Sequence, residues 1–384
     1  MQKKLLSLAI AGALAVPGAA MADVTSNGSN ITVYGKFHAS WDYVDTDIST
    51  NDADDSDDNT AVFRNSRLGF KGSENLGSNG LKGIWQVETE LDTVDNQVQL
   101  RNTFVGLQGD QWGRIIFGKH DTPYKTATAK LDIFSDTIAD YNNIIGAHII
   151  DTAADDGTAD ATAMNFNERE PQLVMYTTPN FNGFSGQIAR ESYQEDEDDG
   201  GNKSDEELEA WSVMAMYDQG PFFASLAYEV FSGDLGGSST STNDDEEIDA
   251  WKLGLGYTFG NSTIGFVYED IEHDNDAYEF ASRDAYWASF SHKFGANNRN
   301  VFKLAYGKAD DSDVDDADDG ADNWSVGIDH HFSKRTKVYA VYTDMDNDDE
   351  GYYNLYSTQL NTSDYSVGRG QDSDAFSIGI VHKF

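Results

Sequence analysis

The chain has 384 residues, of which 39% are hydrophobic and 12% aromatic, and its formal net charge at pH 7 is −41. This charge argues against a nucleic-acid partner, because a phosphate backbone would repel the protein. The chain contains no cysteine, which excludes disulfide frameworks and thiolate metal sites. The longest apolar stretch, residues 5–16, is too short for a membrane-spanning helix.

The first 22 residues predict a secretory signal peptide. Lys3 and Lys4 supply its positive start, residues 5–16 its apolar centre, and residues 20–22 (Ala-Met-Ala) its cleavage site. Such a signal directs the chain across the inner membrane, and no later segment is expected to stop it there. A single domain is therefore predicted over residues 23–384.

From residue 31 onward the sequence alternates between apolar and polar residues with a period of two. In the first such segment Ile31, Phe37 and Trp41 share one face, and Lys36 and His38 lie on the other. A strand of this length crosses a bilayer when tilted, whereas strands of soluble sandwiches are about half as long. Counting similar segments predicts sixteen strands: 30–44, 61–72, 81–92, 97–108, 112–119, 168–178, 184–194, 208–218, 222–231, 248–259, 262–272, 283–294, 299–309, 322–332, 336–346 and 372–384.

The connections between these strands alternate between short turns and long loops, which is the layout of an outer-membrane barrel. An even number of strands closes the barrel with both termini on the periplasmic side. Closure satisfies every backbone polar group, and a barrel of this width encloses a water channel. The predicted fold is therefore an all-β, 16-stranded antiparallel transmembrane β-barrel. Its longest connection is the third long loop, residues 120–167, and a loop of that length rarely lacks a role.

Several segments resemble the trimeric general-diffusion porins of Gram-negative outer membranes. Residues 33–36 (VYGK) are similar to the first-strand motif of that family, and residues 65–77 (NSRLGFKGSENLG) to its second strand and first turn. Residues 101–107 (RNTFVGL) and 176–184 (YTTPNFNGF) resemble its fourth strand and the turn after its sixth. The chain ends in Phe384 after alternating apolar residues, like the terminal strand that the barrel-assembly machinery recognises.

The resemblance implies a passive channel for ions and small hydrophilic solutes, without enzymatic activity or a cofactor. It implies a homotrimer that is embedded in outer-membrane lipid and lipopolysaccharide and folded by the barrel-assembly machinery, with Phe384 as the assembly signal. It also implies that the third loop folds back into the lumen and narrows the channel there.

The same resemblance places basic residues on the wall facing this loop: Lys36, Arg67, Arg101 and Arg169. The alternation agrees for the first three, while Arg169 depends on the resemblance alone. The candidate carboxylates on the loop are Asp121, Asp132, Asp136 and Asp140, and the sequence does not select among them. Cations facing carboxylates across a narrow waist create a transverse field that orients polar solutes. The alternative is that each arginine is a solvated rim charge, but a lipid-facing arginine near the midplane is costly.

The acidic residues favour weak cation selectivity, because 34 of the 67 lie in five long loops at the expected channel mouth. Solvated loop surfaces are the alternative explanation for most of them. Residues 310–320 look calcium-like but do not match the spacing of a calcium loop, so no metal site is predicted. Trp287 has inward parity, but an outer-rim position is preferred for it.

Three other classes of protein are alternatives to a general-diffusion porin. An outer-membrane enzyme is disfavoured, because the chain has no Gly-x-Ser-x-Gly motif and no convincing Ser–His or Asp–His pair. A substrate-specific outer-membrane channel would need an inward aromatic ladder or a dominant basic waist. A secreted β-sandwich adhesin would have shorter strands and would not end in the Phe384 strand.

Overall fold

The computed structural model describes residues 29–46, 56–77, 80–91, 98–146, 166–194, 207–233, 246–274, 282–355 and 369–384. The predicted signal peptide lies outside these residues. Within these ranges, no helix is long and apolar enough to span a membrane.

Eighteen strand segments form sixteen barrel strands, because β2 and β4 each consist of two segments that pair with the same neighbour. The strands are β1 (Ser29–Thr46), β2 (Ser56–Phe63 and Arg67–Asn75), β3 (Lys82–Leu91), β4 (Val98–Leu100 and Thr103–Gly109), β5 (Gly113–Asp121), β6 (Arg169–Thr177), β7 (Phe184–Gln194), β8 (Glu207–Gln219), β9 (Phe222–Gly233), β10 (Glu246–Phe259), β11 (Ser262–His273), β12 (Arg283–Phe294), β13 (Asn300–Ala309), β14 (Ala321–His331), β15 (Thr336–Asn347) and β16 (Ser373–Lys383). Short 3-10 turns cover Tyr141–Asn143 and Ala296–Asn298.

The predicted barrel and its strand count are confirmed, and the observed strands differ from the predicted ones mainly at their ends. The alternation did not reveal the breaks in β2 and β4. At the break in β2, Asn65 has a φ of 46°, in the left-handed region. Beside it, Arg64 turns inward and forms a buried ion pair with Asp42 of 2.6 Å. A local contact of this kind leaves no trace in hydrophobic periodicity.

The barrel closes where β1 pairs with β16, from Lys36 opposite Lys383 to Thr46 opposite Ser373. The last residue extends this pairing, because the backbone N–H and C=O of Phe384 both bond to Gly35 at 3.1 Å. Its ring lies over Phe37 with a centroid distance of 5.4 Å. The C-terminal residue therefore completes the seam between the first and last strands.

The exposed face of the strands is the apolar one, the reverse of a soluble protein. On β13, Phe302, Leu304 and Tyr306 are 38–48% exposed, whereas the intervening Lys303 and Ala305 are buried. The same inversion repeats around the barrel, with exposed aromatic and aliphatic side chains pointing outward. Such a surface matches lipid on the outside and a polar interior.

Between β5 and β6 the chain turns into the barrel. It forms the short helix α1 (Pro123–Thr128), whose first turn is capped by the Thr122 side chain accepting a bond of 3.1 Å from the backbone N–H of Lys125. From α1 onward, residues 123–146 lie against inward-facing side chains of β8 to β15. We call residues 122–146 the inner loop.

Deleting Phe384 is expected to reduce folded barrel in the outer membrane several-fold. The deletion removes both backbone bonds to Gly35 and leaves part of the seam unpaired in lipid, where each unsatisfied group costs several kcal/mol. Quantitative immunoblots of outer-membrane fractions, run with and without heating, measure this. Phe332→Ala removes another exposed phenylalanine from a periplasmic strand end, 57% exposed against 37% for Phe384, and should leave the level near that of the wild type. Normal levels of the truncated chain would refute the role.

Candidate channel constriction

The inner loop is seated in the barrel wall at positions where the wall has no side chain. A Cβ atom on Gly254 would lie 3.0 Å from Leu131, and one on Gly327 would lie 2.8 Å from Phe134. These inward-facing glycines therefore provide the space that the apolar side chains of the loop occupy. Apolar contact with the wall gives the loop a defined position.

Two buried charged residues on neighbouring strands hold both ends of the inner loop. Glu269 of β11 accepts a bond of 2.7 Å from the Tyr124 hydroxyl and one of 2.6 Å from the backbone N–H of Gly146. Arg283 of β12 lies 3.6 Å from Glu269 and donates a bond of 3.0 Å to the carbonyl of Ile144. The sequence offered no signal for this pair, because its partners are more than 120 residues away along the chain.

At the tip of the loop, Asp136 is the carboxylate that meets the basic wall. It forms an ion pair with Lys36 of β1 and another of 3.2 Å with Arg67 of β2. Its backbone φ of 62° lies in the left-handed region and is held by a bond of 2.7 Å from its N–H to Asp140. Burial raises the pKa of Asp136, but Lys36 and Arg67 outweigh this and hold the pKa below its ordinary value.

Arg101 lies on the same wall but is held by carboxylates of the strands, not of the loop. It bonds to Glu88 at 3.0 Å and to Glu90 at 2.5 Å, both on β3, and to the side chain of Asn65 at 3.0 Å. Glu88 also lies 3.8 Å from Arg67. The alternation of β3 places Glu88 and Glu90 opposite Val87, so parity alone could have identified these two carboxylates.

Asp121 and Arg169 form an ion pair of 2.8 Å with each other. Asp121 is the last residue of β5, and Arg169 is the first residue of β6, so both belong to the wall. Lys125 of α1 adds a second cation 3.5 Å from Asp121. This pair therefore ties the base of the inner loop to the wall.

The other two predicted carboxylates stabilise the loop backbone. Asp140, which is buried, caps the 3-10 turn by accepting a bond of 3.0 Å from the N–H of Asn142. Asp132 accepts one of 2.9 Å from the N–H of Phe134. Burial, with the charge of Asp136 nearby, raises the pKa of Asp140 to about 6. Burial and the charge of Asp140 raise the pKa of Asp132 well above its ordinary value.

The carboxylates of the inner loop and the cations of the facing wall line a cavity of about 480 Å³. Seven of the eight predicted site residues line it, and Lys36 lines a second cavity of about 420 Å³ that shares Asp136 with the first. The first cavity is also lined by three charged residues that the sequence did not single out: Glu90, Lys125 and Glu168. Both cavities are lined by Ser135 and Asp136 at the tip of the loop.

The preferred outer-rim position of Trp287 is wrong. Its side chain is fully buried inside the barrel and packs edge-on against Tyr141 of the inner loop, with ring centroids 6.3 Å apart. Its inward parity was the correct signal. The acidic run at residues 310–320 contributes Asp311 and Asp318 to an exposed group with Asp348, but exposed carboxylates often cluster without an ion.

A closed barrel with an apolar exterior, a polar interior and an inserted loop of paired charges defines a transmembrane β-barrel channel. The comparisons with known proteins agree. Residues 7–350 match the family model for the Gram-negative porins, and the chain belongs to this family. It is an outer-membrane protein, and its family consists of channels.

Individual relatives align with all or nearly all of this chain, at sequence identities below 30%. Outer membrane porin protein 32 of Delftia acidovorans is 28% identical over 393 aligned residues that span all of both chains. Among solved structures, an anion-selective porin from Comamonas acidovorans has a TM-score of 0.73 at 23% identity and covers 93% of this chain and 100% of its own. The trimer form of OmpT from Vibrio cholerae has a TM-score of 0.61 at 16% identity, with 93% and 100% coverage.

Lowering the pH from 8 to 5 is expected to weaken any preference of the channel for cations. Burial raises the pKa of Asp140 to about 6 and that of Asp132 well above its ordinary value, so both take up protons at a higher pH than ordinary exposed carboxylates do. Reversal potentials across a fixed KCl gradient, recorded at several pH values, measure the change. In Asp140→Asn the reversal potential should change less with pH near pH 6 than in the wild type. An unaltered pH dependence in this variant would contradict the role of Asp140 in the change.

Proposed function

We propose that the protein is a general-diffusion channel for ions and small hydrophilic solutes, narrowed by the inner loop and weakly selective for cations. The observation that carries the proposal is the pairing of Asp136 with Lys36 and Arg67. This pairing joins a loop carboxylate to the basic wall inside the barrel. The cavity beside this pair is lined by further carboxylates of the loop, Asp132 and Asp140, and by cations of the wall, and opposed charges of this kind orient dipolar solutes and disfavour apolar ones.

The balance of charge around the larger cavity supports a weak preference. Six carboxylates and four cations line this cavity. All four cations are already paired: Arg67 with Asp136, Arg101 with Glu88 and Glu90, and both Lys125 and Arg169 with Asp121. The net charge of −41 adds a negative potential at the mouth, although salt screens it beyond about 8 Å at physiological ionic strength. The name of the Comamonas protein describes the selectivity of that protein, and at 23% identity the likeness supports the fold alone.

The proposal includes the predicted removal of residues 1–22 on export and assembly through the Phe384 strand. It also includes a homotrimer, which the family and the trimer form of OmpT support. The outward face of β1 is available for a neighbouring subunit at Phe37 and Trp41, which are 43% and 51% exposed. Gly35 does not open a groove there, because the ring of Phe384 occupies the space beside it.

Asp136→Asn is expected to shift the permeability ratio toward anions by roughly a factor of 2, because it leaves Lys36 and Arg67 without their loop partner. Arg67→Gln should shift the ratio the other way. Reversal potentials in planar bilayers across a KCl gradient decide both signs. A wild-type channel that prefers anions would refute the proposed cation selectivity.

Glu350→Gln is the matched control for these variants. It removes one negative charge from an exposed ion pair with Arg369, outside the barrel interior. Its effect should disappear at high salt, whereas that of Asp136→Asn should persist, because enclosed charges are screened less. Equal effects for the two variants at every salt concentration would place the selectivity at the mouth.

The trimer is tested by electrophoresis. Unheated protein in mild SDS should migrate as a large oligomer and convert to monomer on boiling. Crosslinking before denaturation should trap three subunits. A monomer before and after heating, without crosslinked species, would rule out the homotrimer and leave the channel proposal standing.

A further inference from the structure

The periplasmic ends of three strands repeat one sequence pattern and one contact. Strands β12, β14 and β16 end in His-x-Phe: 292–294 (HKF), 330–332 (HHF) and 382–384 (HKF). In each case the first residue of the preceding strand partners the Nδ1 of the histidine: Ser262 with His292 at 2.8 Å, Asn300 with His330 at 2.8 Å, and Thr336 with His382 at 2.9 Å.

These histidines face lipid. His330 follows Ile328 and precedes Phe332 on the outward face of β14, where the two apolar residues are 44% and 57% exposed. A polar ring between apolar neighbours needs partners for both nitrogens, since no water is available deeper in the bilayer. Among the described residues, the hydrogen bonds of His292, His330 and His382 all use Nδ1. The Nε2 of each ring is left for a ligand from outside the chain.

The tautomer suits an acceptor ligand. The Ser262 and Thr336 hydroxyls can donate to Nδ1, which leaves the ring proton of His292 and His382 on Nε2. At His330 the partner is the amide oxygen of Asn300, which can only accept, so His330 donates through Nδ1 and donates through Nε2 as well when the ring is the charged imidazolium, the form that an anionic ligand favours. The repeated polar partner therefore prepares each histidine as a donor that faces the lipid.

The charge around these histidines is opposite to that of the rest of the chain. Acidic residues outnumber basic ones by 67 to 26 overall, yet residues 290–302, 330–338 and 379–384 contain no Asp or Glu. The turns in this region instead carry exposed basic residues, including Arg299 and Arg335. The backbone of Arg299 lies beside the histidine pattern of β14, because its carbonyl accepts a bond of 2.8 Å from the N–H of His331. Periplasmic turns elsewhere carry Glu74, Asp110 and Asp218.

We propose that this periplasmic rim binds the phosphate of anionic glycerophospholipids in the inner leaflet. The histidine Nε2 donates to a phosphate oxygen, and the guanidinium of the adjoining turn neutralises the charge. His330 with Arg299 forms one site, and His382 with Arg335 repeats it. Charged hydrogen bonds from a guanidinium are the stronger part of such a site, and the histidine fixes the position of the headgroup.

The test uses native mass spectrometry of the full-length protein in detergent, titrated with phosphatidylglycerol or phosphatidylcholine. Wild type should retain phosphatidylglycerol in preference to phosphatidylcholine. The double variant His330→Gln with Arg299→Gln should bind phosphatidylglycerol about tenfold more weakly at this site. His382 is left unchanged, because it borders the assembly residue Phe384.

His331→Gln is the matched control, because His331 is the adjacent residue but lies on the inward face, 4.0 Å from Asp329. It should bind phosphatidylglycerol like the wild type. If the double variant fails to fold, Arg299→Gln with Arg335→Gln changes only exposed turn residues and should still lower phosphatidylglycerol binding. Unchanged binding in whichever variant folds, or equal loss in His331→Gln, would overturn the proposal. So would retention of peptidoglycan fragments without retention of phospholipid.

Discussion

In lipid no water is available to bond the backbone, so every backbone donor and acceptor must find a partner within the protein. This requirement determines the architecture of the molecule. In lipid an open strand edge leaves a row of unsatisfied groups, so the sheet must close on itself. Closure through β1 and β16 makes the first and last strands neighbours, and it gives the C-terminal residue a structural task. The bonds between Phe384 and Gly35 show how far this requirement extends, since the pairing continues to the final residue of the chain.

Closure also explains the distribution of polar residues. Because the strands supply all the backbone bonds, only outward side chains must match lipid, and inward ones are free to be polar or charged. The interior therefore accommodates charged groups that would be costly in a compact core, including Glu269, Arg283 and Asp136. The negative mean hydropathy of −0.56 is compatible with a membrane protein for the same reason.

The inner loop is held by one side of the barrel interior and contacts the basic residues of the other side with its tip. Its apolar side chains and its bonds to Glu269 and Arg283 fix its position against β8 to β15. Its tip reaches the opposite side, where Asp136 meets Lys36 and Arg67. One wall therefore holds the loop and the other receives its charge, so that a short segment sets the shape and the field of the passage together.

The sequence by itself determined the barrel, its strand count and the inward direction of Lys36, Arg67 and Arg101, because period-two alternation reports directly which face each residue occupies, whereas Arg169 was placed by the family resemblance alone. It also indicated the loop that carries the site, through its length. Only the tertiary structure decided which loop carboxylate meets the wall, why Trp287 is inside, and that Asp140 is a cap. Those outcomes depend on contacts between residues that are distant along the chain, and no local periodicity encodes them. The ion pair of Asp136 with Lys36 joins residues 100 positions apart, and the fold alone brings them together.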